Sequence, residues 1–553
     1  MKYILGIDTG GTYTDTILLN TDKKGAVGIE KKSKALTTHE NLITGIEASI
    51  DALSLNDSEK ASLERVVLST TLATNAIVEN NISKVGLVSI GELPTKELAT
   101  KTVYKVLGKV NIKGRVVQEL DENQVNSVAQ ILSEEVEAIA VSGISSTRNP
   151  ILEKKVKQIL KTKCNQPIVC GSEIVSDLGY WERTNTAIIN AGLIGIIGNF
   201  TKTIKQVMTK NKIVCPIFIV KGDGNVCEVN AVEEIPINTA LSGPAASIIG
   251  SIYLTNLCNA VIADMGGTTT DVGVVENQKI AVTSDGAVIG GWKLKIESAK
   301  ILTFGLGGDS YIDCNDGKVK IGPNRVIPVC RDINGRFTPT DVLHCTDDFT
   351  KWNKNLSLSL LQKKALREGK DKETFLKDIE NKIIETIYNE IIEMKDNTYP
   401  LVAIGAPAKA WYSKLDKKYN CGVVIPSHYE VANAIGAAVA AVQEKSEVLI
   451  RKGEDGFGYL LHTSSERFAF TDTDQIIDIA MKCAEEAVRK IVCGQNLDVE
   501  KVTFLREDIF EVHGKIKVKK YENIKDITQK IYVKQGEKLV QIQIMAFARG
   551  KMF

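Results

Sequence analysis

The string DTGGTYTD, residues 8–15, returns as DMGGTTTD 256 residues further on, beginning at Asp264, and no other feature narrows the folds open to this chain as much. Six of the eight positions agree, and all six are Asp, Gly or Thr. Each copy follows an apolar run, YILGI in the first case and AVIA in the second, and leads into a second strand-like segment, YTDTILLN or TTTDVGVVENQKIAV. The pattern predicts a hairpin, strand, Gly-Gly turn, strand, whose first strand delivers an aspartate to its C-terminal end. A lone Gly-Gly turn is ordinary. Packing gives no reason to keep Asp, Gly and Thr in the same places twice, whereas two lobes closing on one triphosphate would. Such a ligand needs close backbone amides, hydroxyl donors and a divalent cation held through carboxylates. Gly10, Gly11, Thr12, Thr14, Gly266, Gly267, Thr268 and Thr270 offer the first two, and Asp8 and Asp264 the third, or else they orient an attacking group. Asp15 and Asp271 repeat as well and read equally as caps of the hairpins.

Between and beyond the copies, strand and helix patterns alternate. RVVLSTTLATNAIVEN reads as a strand entering a helix, KVGLVSIG and VEAIAVSGI as buried strands, and ERTNTAIINAGLIGIIGNFTKTIKQVMTK as a long helix. PLVAIGAPAKAWYSKL reads as strand, turn and helix, so the fold class is mixed α/β. The last hundred or so residues, with a helix at TDQIIDIAMKCAEEAVRKIV and alternating Lys- and Glu-rich segments, predict a small α+β appendage. A length of 553 residues leaves room for several cores. With Lys+Arg 69 against Asp+Glu 68, the net charge of +1 supplies no bulk field for nucleic acid or an anionic membrane. The N-terminus lacks the pattern of a secretory signal, and no run of about 20 uninterrupted apolar residues appears, so a cytoplasmic protein is expected. Eleven scattered cysteines without a Cys-x-x-Cys pair predict neither a disulfide frame nor a zinc site. HCTDD, from His344, reads as a solvated helix cap rather than a metal cluster.

Paired phosphate hairpins of this kind resemble those of the superfamily of sugar kinases, acetate kinase, actin and the large heat-shock chaperones. Within it the wording is similar to the hydantoinase A, or 5-oxoprolinase, family, which also includes the ATP-using subunits of acetone and acetophenone carboxylases. The resembling segments are GIDTGGTYTD, STTLATNAIVE, ERTNTAIINAGL, VKGDGNV, LSGPAAS, DMGGTTTDV, LGGDS and VIPSHYEVANAIGAA, in the family's order from residue 3 to about 445. The resemblance implies two ribonuclease-H-like lobes around an interlobe nucleotide cleft. An N-terminal lobe over 1–190 carries the first hairpin, a hydantoinase A lobe over 191–445 carries the second with the adenosine segment, and the small α+β region covers 446–553.

The resemblance also implies ATP with Mg²⁺ as cofactors, and activation of a small cyclic amide or other carbonyl by transfer of the γ-phosphate to its oxygen. A separately encoded B-type subunit and an oligomeric assembly are implied, since no B-type region follows in this sequence. A small-molecule kinase and a nucleotide-gated activase of chaperone type are the competing readings. Among the candidate residues, Asp8, Asp264 and Arg183 are expected to be catalytic, the first two also holding the metal, with Arg183 suited to an anionic group. Gly10, Gly11, Thr12, Tyr13, Thr14, Gly266, Gly267, Thr268, Thr269, Gly305, Gly307, Gly308, Gly405 and Ala406 are expected around the nucleotide. Thr70, Thr71, Asn75, Glu182, Asn190 and Asp223 are expected on the substrate side. Where the family usually has His-Gly before the paired threonines, this chain has Leu68 and Ser69.

Overall fold

The apolar runs on either side of the two Gly-Gly turns form the central strands of two sheets. A computed structural model describes residues 1–37, 42–175, 178–283, 285–315, 318–394, 398–453, 458–463, 467–470, 475–494 and 497–550. In the first sheet β1 (Tyr3–Thr9) pairs antiparallel with β2 (Tyr13–Asn20), and β2 with β3 (Ile29–Leu36). On its other side β1 runs parallel to β4 (Leu63–Thr70), which leads into a short helix, α1 (Leu72–Val78). Val66, Val67 and Leu68 of β4 are completely buried. Burial of each such side chain contributes about 1.5–3 kcal/mol, so this strand anchors the lobe.

The chain then leaves for an inserted parallel sheet of β5 (Val85–Ile90), β6 (Thr102–Val106), β7 (Ala138–Gly143) and β8 (Ile168–Cys170), in the order β8-β7-β5-β6. Helices Glu122–Glu135 and Ile151–Lys161 cover one face through Val125, Leu132, Val156 and Leu160. The other face packs on α2 (Tyr180–Lys210) through Ala187, Ile188 and Ala191. By length and composition α2 could cross a membrane, yet 61% of its most apolar window is buried inside the protein, as befits a core helix. Residue 190, the expected edge of the first lobe, lies within α2, and the chain goes on to add β9 (Ile217–Val220), parallel to β4, to the first sheet.

The second lobe opens with α3 (Ser242–Thr255). It repeats the strand pattern with β10 (Ala260–Met265), β11 (Thr270–Glu276), β12 (Ile301–Phe304), β13 (Leu401–Ile404) and β14 (Val423–Val424). β10 pairs antiparallel with β11 and β11 with β12, while β13 runs parallel to β10 and β14 to β13. Both lobes therefore share one ribonuclease-H-like arrangement, three antiparallel strands followed by two parallel ones. Helix α4 (Ala432–Val439) crosses α3 at glycines: a Cβ on Gly436 would lie 1.8 Å from Ala246 O, and one on Gly250 1.9 Å from Ala432 O. The same helix lies on β1, where a Cβ on Gly6 would stand 2.2 Å from Ala434 O. The small-residue strings SGPAAS and NAIGAA are thus the contact surfaces that bring the lobes backbone to backbone.

HCTDD does end the helix Pro339–Cys345, with Thr346 at its C-cap and Asp347 and Asp348 exposed, but its histidine is not solvated. His344 is fully buried, its Nδ1 2.8 Å from Thr340 O and its Nε2 accepting from Trp352 N at 3.1 Å. The ring stacks on Trp352 and meets Phe349 edge-on, an aromatic cluster that removes it from solvent. Asp347 and Asp348 are paired with Lys354 and Lys414, at 2.6 and 2.7 Å.

Residues 1–224 and 228–440 form one compact unit, and 225–227 with 441–553 a second. The second is α+β. Strands Arg467–Phe470, Tyr459–His462, Gln443–Lys452, Glu537–Gly550, Val499–Val512 and Lys515–Tyr521 form an antiparallel sheet in that order. Helix α5 (Ile476–Gly494) buries Ile476, Ile477, Ala480, Ala484, Val488 and Val492, a stripe spaced by three and four residues, against it. Inside this unit the fully buried Arg506 donates to both Asp508 oxygens, at 2.7 and 2.8 Å, and to the carbonyls of Ile527 and Gln529.

Candidate functional site

The two hairpins are superimposable in register. Asp8 stands opposite Asp15 and Thr9 opposite Thr14, while Asp264 stands opposite Asp271 and Met265 opposite Thr270. Each turn closes in the same way, Gly10 N donating to Tyr13 O at 3.0 Å and Gly266 N to Thr269 O at 2.9 Å. The turns also come together in space. A Cβ on Gly267 would be 3.3 Å from Thr12 Oγ1 of the other hairpin and 3.3 Å from Asp309 Oδ2. Glycine at 267 keeps that face of the backbone open between the lobes.

The surroundings of the paired aspartates differ between lobes, because the neighbouring strands present different residues. Ser69, beside Asp8 on β4, donates its hydroxyl to Asp8 Oδ1 at 2.6 Å. The matching place beside Asp264 is Ile404 on β13, and the polar partners come instead from helices, Ser247 Oγ at 2.6 Å and Asn433 Nδ2 at 3.2 Å, both to Oδ2. On the outer side, Lys34 of β3 forms an ion pair with Asp15 at 2.6 Å, whereas Thr303 of β12 donates to Asp271 at 2.6 Å. Burial pushes Asp8 up to about 7, opposed by the Ser69 bond and reinforced by Asp15 and Asp264. Desolvation likewise raises Asp271 to about 7 and moves Asp15 and Asp264 upward. Carboxylates crowded out of water in this way favour a cation among them.

The hydroxyl expectations divide. Thr12 and Thr268 sit half-buried on the turns, with Gly10, Gly11, Gly267, Tyr13 and Thr269. Thr14 and Thr270 point inward: Thr14 Oγ1 shares a 2.8 Å hydrogen bond with Thr37, and Thr270 Oγ1 donates to Leu306 O at 2.6 Å. Strand alternation turns both onto the buried face, so their hydroxyls are structural.

The LGGDS loop packs directly behind the second hairpin. Gly308 N donates to Gly266 O at 3.0 Å and Asp309 N to Gly267 O at 2.7 Å, and a Cβ on Gly307 would strike Gly267 and Thr268 at 2.5–2.6 Å. Gly305 is similarly confined, by Pro323. Gly405, at φ +93°, leaves β13 so close to the hairpin that a Cβ would be 2.7 Å from Asp264 Oδ1, and Ala406 beside it is exposed. These residues shape the second hairpin from below.

On the first lobe, Thr71 N donates to Thr9 O at 3.2 Å, and Asn75 Nδ2 to Thr71 Oγ1 at 3.3 Å, so the start of α1 adjoins the first hairpin. Thr70 is tied to α3, its carbonyl accepting from Ser242 Oγ at 2.8 Å. Arg183, Glu182, Asn190 and Asp223 are held in other contacts. Arg183 is fully buried at the C-terminal end of β7, its Nη2 donating to Gly143 O at 2.6 Å and Ile144 O at 3.2 Å, and burial lowers its pKa. The expected catalytic Arg183 is thus on the face of α2 that packs on the inserted sheet, where backbone carbonyls hold it. Glu182 is half-buried in the same turn; Asn190 braces Ile237 N and Glu234 O at 3.1 and 3.3 Å; Asp223 lies 3.8 Å from Lys221 Nζ. Ser69, Ser247, Asn433, Asp309 and Arg325 are the residues that sequence reasoning passed over. Ser69 carried a signal as the departure from His-Gly, and Ser247, Asp309 and Asn433 lie within the resembling segments LSGPAAS, LGGDS and VIPSHYEVANAIGAA, whereas Arg325 carried none.

Comparison with known proteins agrees with this arrangement. Residues 4–164 match the model of the hydantoinase/oxoprolinase N-terminal region, and residues 183–446 that of hydantoinase/oxoprolinase. The chain is 25% identical to the caprolactamase subunit alpha of Pseudomonas jessenii, over 92% of this chain and 77% of that one. It is also 25% identical to the acetophenone carboxylase gamma subunit of Aromatoleum aromaticum, over 60% of this chain and 51% of that one. The chain spans about half the length of several curated relatives it matches. In fold it is similar to a nucleotide-free acetone carboxylase, with a TM-score of 0.77 at 17% identity, covering 99% of this chain and 88% of that one.

Proposed function

Because the chain belongs to the hydantoinase/oxoprolinase family, we propose that it is the ATP-binding component of an enzyme that phosphorylates a lactam or other carbonyl oxygen to activate it for hydrolysis. One observation carries this reading: two hairpins of identical register meet with Thr12 of one 3.3 Å from the Cβ position of Gly267 in the other. Backbone amides of both turns then converge on one anion, as a transferring phosphoryl group requires. The names of the relatives, a caprolactamase and ketone carboxylases, support a carbonyl compound as acceptor and a second, B-type subunit as partner.

Asp8 and Asp264 are the proposed holders of Mg²⁺, acting through water. Each accepts its hydrogen bonds on a single oxygen, Oδ1 of Asp8 and Oδ2 of Asp264, which leaves the other oxygen to serve a cation's water shell. Among the described residues no three His, Cys, Asp or Glu groups form a cage of their own. That suits a cation shared with phosphates rather than one held by protein alone. The metal would neutralise phosphate charge. Asp8 or Asp264 orients the attacking group, and the start of α1, beside Thr9, faces the acceptor. A cytosolic setting, rich in ATP, accords with eleven cysteines scattered without a Cys-x-x-Cys pair.

The test is ATP turnover by the purified chain, alone and with the polypeptide encoded beside it, over a panel of lactams, cyclic imides and ketones, with products followed by phosphorus NMR. Stimulated release of ADP and inorganic phosphate with a ring-opened product is expected. A stable phosphate ester would make the protein a kinase instead, and ATP binding without stimulation by any panel member would remove the carbonyl reading.

A further inference from the structure

The aspartate of the second hairpin is held by groups outside its own sheet. Asp264 Oδ2 accepts from Ser247 Oγ at 2.6 Å and from Asn433 Nδ2 at 3.2 Å. Ser247 belongs to α3 and Asn433 to α4, the two helices that cross at Gly250 and Gly436. Each donor adjoins the crossing in the chain. Ser247 follows Ala246 and Asn433 follows Ala432, the two alanines whose carbonyls a Cβ on Gly436 or on Gly250 would strike. The residue after Asn433 is Ala434, whose carbonyl lies against Gly6 of β1, two residues before Asp8. Asn433 therefore holds the aspartate of one lobe from a helix seated on the strand that carries the aspartate of the other. Asp8 differs, since its donor Ser69 comes from the neighbouring strand of its own sheet.

Two donors on one oxygen fix the direction of a carboxylate as well as its place. The last torsion of an aspartate is soft, and either oxygen can turn toward a cation. With Oδ2 taken twice that torsion is set, and Oδ1 faces Gly405, where a Cβ would stand 2.7 Å away and glycine leaves the oxygen uncovered. The Ser247 hydroxyl has one proton and two acceptors in reach, Gly243 O at 3.1 Å and Asp264 Oδ2 at 2.6 Å. The shorter bond, to the charged acceptor, is the stronger of the two. The lobes meet again at the turns, where Arg325 Nη1 donates to Gly11 O at 3.5 Å. Both donors of Asp264 stand on helices at the junction of the lobes rather than on loops, a mount rigid enough to hold a carboxylate in one orientation.

We propose that Ser247 and Asn433 are positioning residues for the metal: by fixing Asp264 Oδ2 from the two helices that join the lobes, they hold Oδ1 toward the cation. The inference rests on the ATP and Mg²⁺ reading above and adds to it the residues that set the carboxylate of the second lobe. In this role neither residue touches nucleotide, cation or acceptor, and each acts through Asp264. Groups that orient the ligands of a metal in this way ordinarily matter about 10- to 100-fold in metal affinity.

Calorimetric titration of the full chain with ATP, once in EDTA and once with saturating Mg²⁺, tests the proposal through the ratio of the two affinities. In Ser247→Ala and in Asn433→Ala the affinity with Mg²⁺ is expected to fall about tenfold while the affinity in EDTA stays within about twofold, so that the ratio falls about tenfold. Alanine is the better helix former at both places, and general damage to the fold would lower both affinities and leave the ratio as it was. Ser251→Ala is the control, because that hydroxyl lies one turn further along α3 and donates to Ser247 O at 2.9 Å, and its ratio should match the wild type. Asn433→Ala decides alone should Ser247→Ala fail to fold. A ratio unchanged in either variant removes that residue from the role, and a ratio unchanged in both, or lowered as much in Ser251→Ala, overturns the inference while the metal reading stands. If the wild type binds no ATP, or binds it no better with Mg²⁺ than in EDTA, the reading above falls and this inference with it.

Discussion

Ser69 and Asp8 face each other across neighbouring parallel strands, the serine hydroxyl donating to Asp8 Oδ1 at 2.6 Å. Burial drives Asp8 up to about 7, and this bond is the largest effect drawing it back down. A hydrogen bond to a charged group contributes about 1.5–3 kcal/mol, or roughly one pKa unit or more. Ser69→Ala is therefore expected to move the acid limb of the pH profile of ATP turnover about one unit upward, with the alkaline side unaltered, because Asp8 must be ionised to serve the cation. An unmoved limb would mean that Asp8 does not gate the reaction.

The same carboxyl sets a pH dependence of stability opposite in sign to that of an ordinary paired aspartate. With a folded value of about 7 and an unfolded value near 3.9, the native state binds the proton more tightly between those limits. Stability from this group is present below about pH 4 and lost as the pH rises through 7. Thermal melts in a chelating buffer without nucleotide should show a slope from pH 5 to pH 8 that is shallower in Asp8→Asn than in the wild type. Identical slopes would show that the carboxyl is better solvated than its surroundings imply.

The hairpins were legible because their chemistry is local: the glycines and aspartates lie within eight residues of one another, and the apolar runs flank them directly. Strand, turn and helix at 401–419, and the helix at 476–494, were legible for the same reason, their periodicity being contained within one element. What could not be read depends on which element lies next to which. Thr14 and Thr270 have the composition of phosphate donors, but strand alternation turns them inward onto Thr37 and Leu306. Arg183 has the charge of an anion-binding residue, but its helix packs on the inserted sheet and buries it. Arg325 lies 314 residues from Gly11 in the chain, and no local pattern could announce their meeting.

The crossing of α3 and α4 tolerates no side chain at its centre. A Cβ on Gly436 would sit 1.8 Å from Ala246 O, a backbone atom that cannot move without separating the two helices and, through Gly6, disturbing β1. Gly436→Ala is expected to destabilise the protein by about 3 kcal/mol, the upper range for overpacking, and to weaken ATP binding because both hairpins depend on the lobes' alignment. Gly494→Ala, where a Cβ meets nothing within 4 Å, is the control and should melt within a degree or two of the wild type.

Arg506 in the second unit makes bonds that are short, buried and fully matched. It donates to Asp508 through two nitrogens at 2.7 and 2.8 Å, and its third, Nη1, to the carbonyls of Ile527 and Gln529 at 2.8 and 2.6 Å. Removing one partner of such a pair leaves the other charged and dry, which costs about 3–5 kcal/mol, whereas removing both together costs much less. Arg506→Met is therefore expected to lower the stability of residues 441–553 by that amount, and Arg506→Met with Asp508→Leu to restore a large part of it. Because the unit has its own core, the loss should appear in calorimetry as a transition displaced to lower temperature. Mg-ATP affinity, set by the site proposed in residues 1–224 and 228–440, should be unchanged below that transition. A double variant no more stable than the single one would show that the carbonyls of Ile527 and Gln529, rather than Asp508, are what the guanidinium chiefly serves.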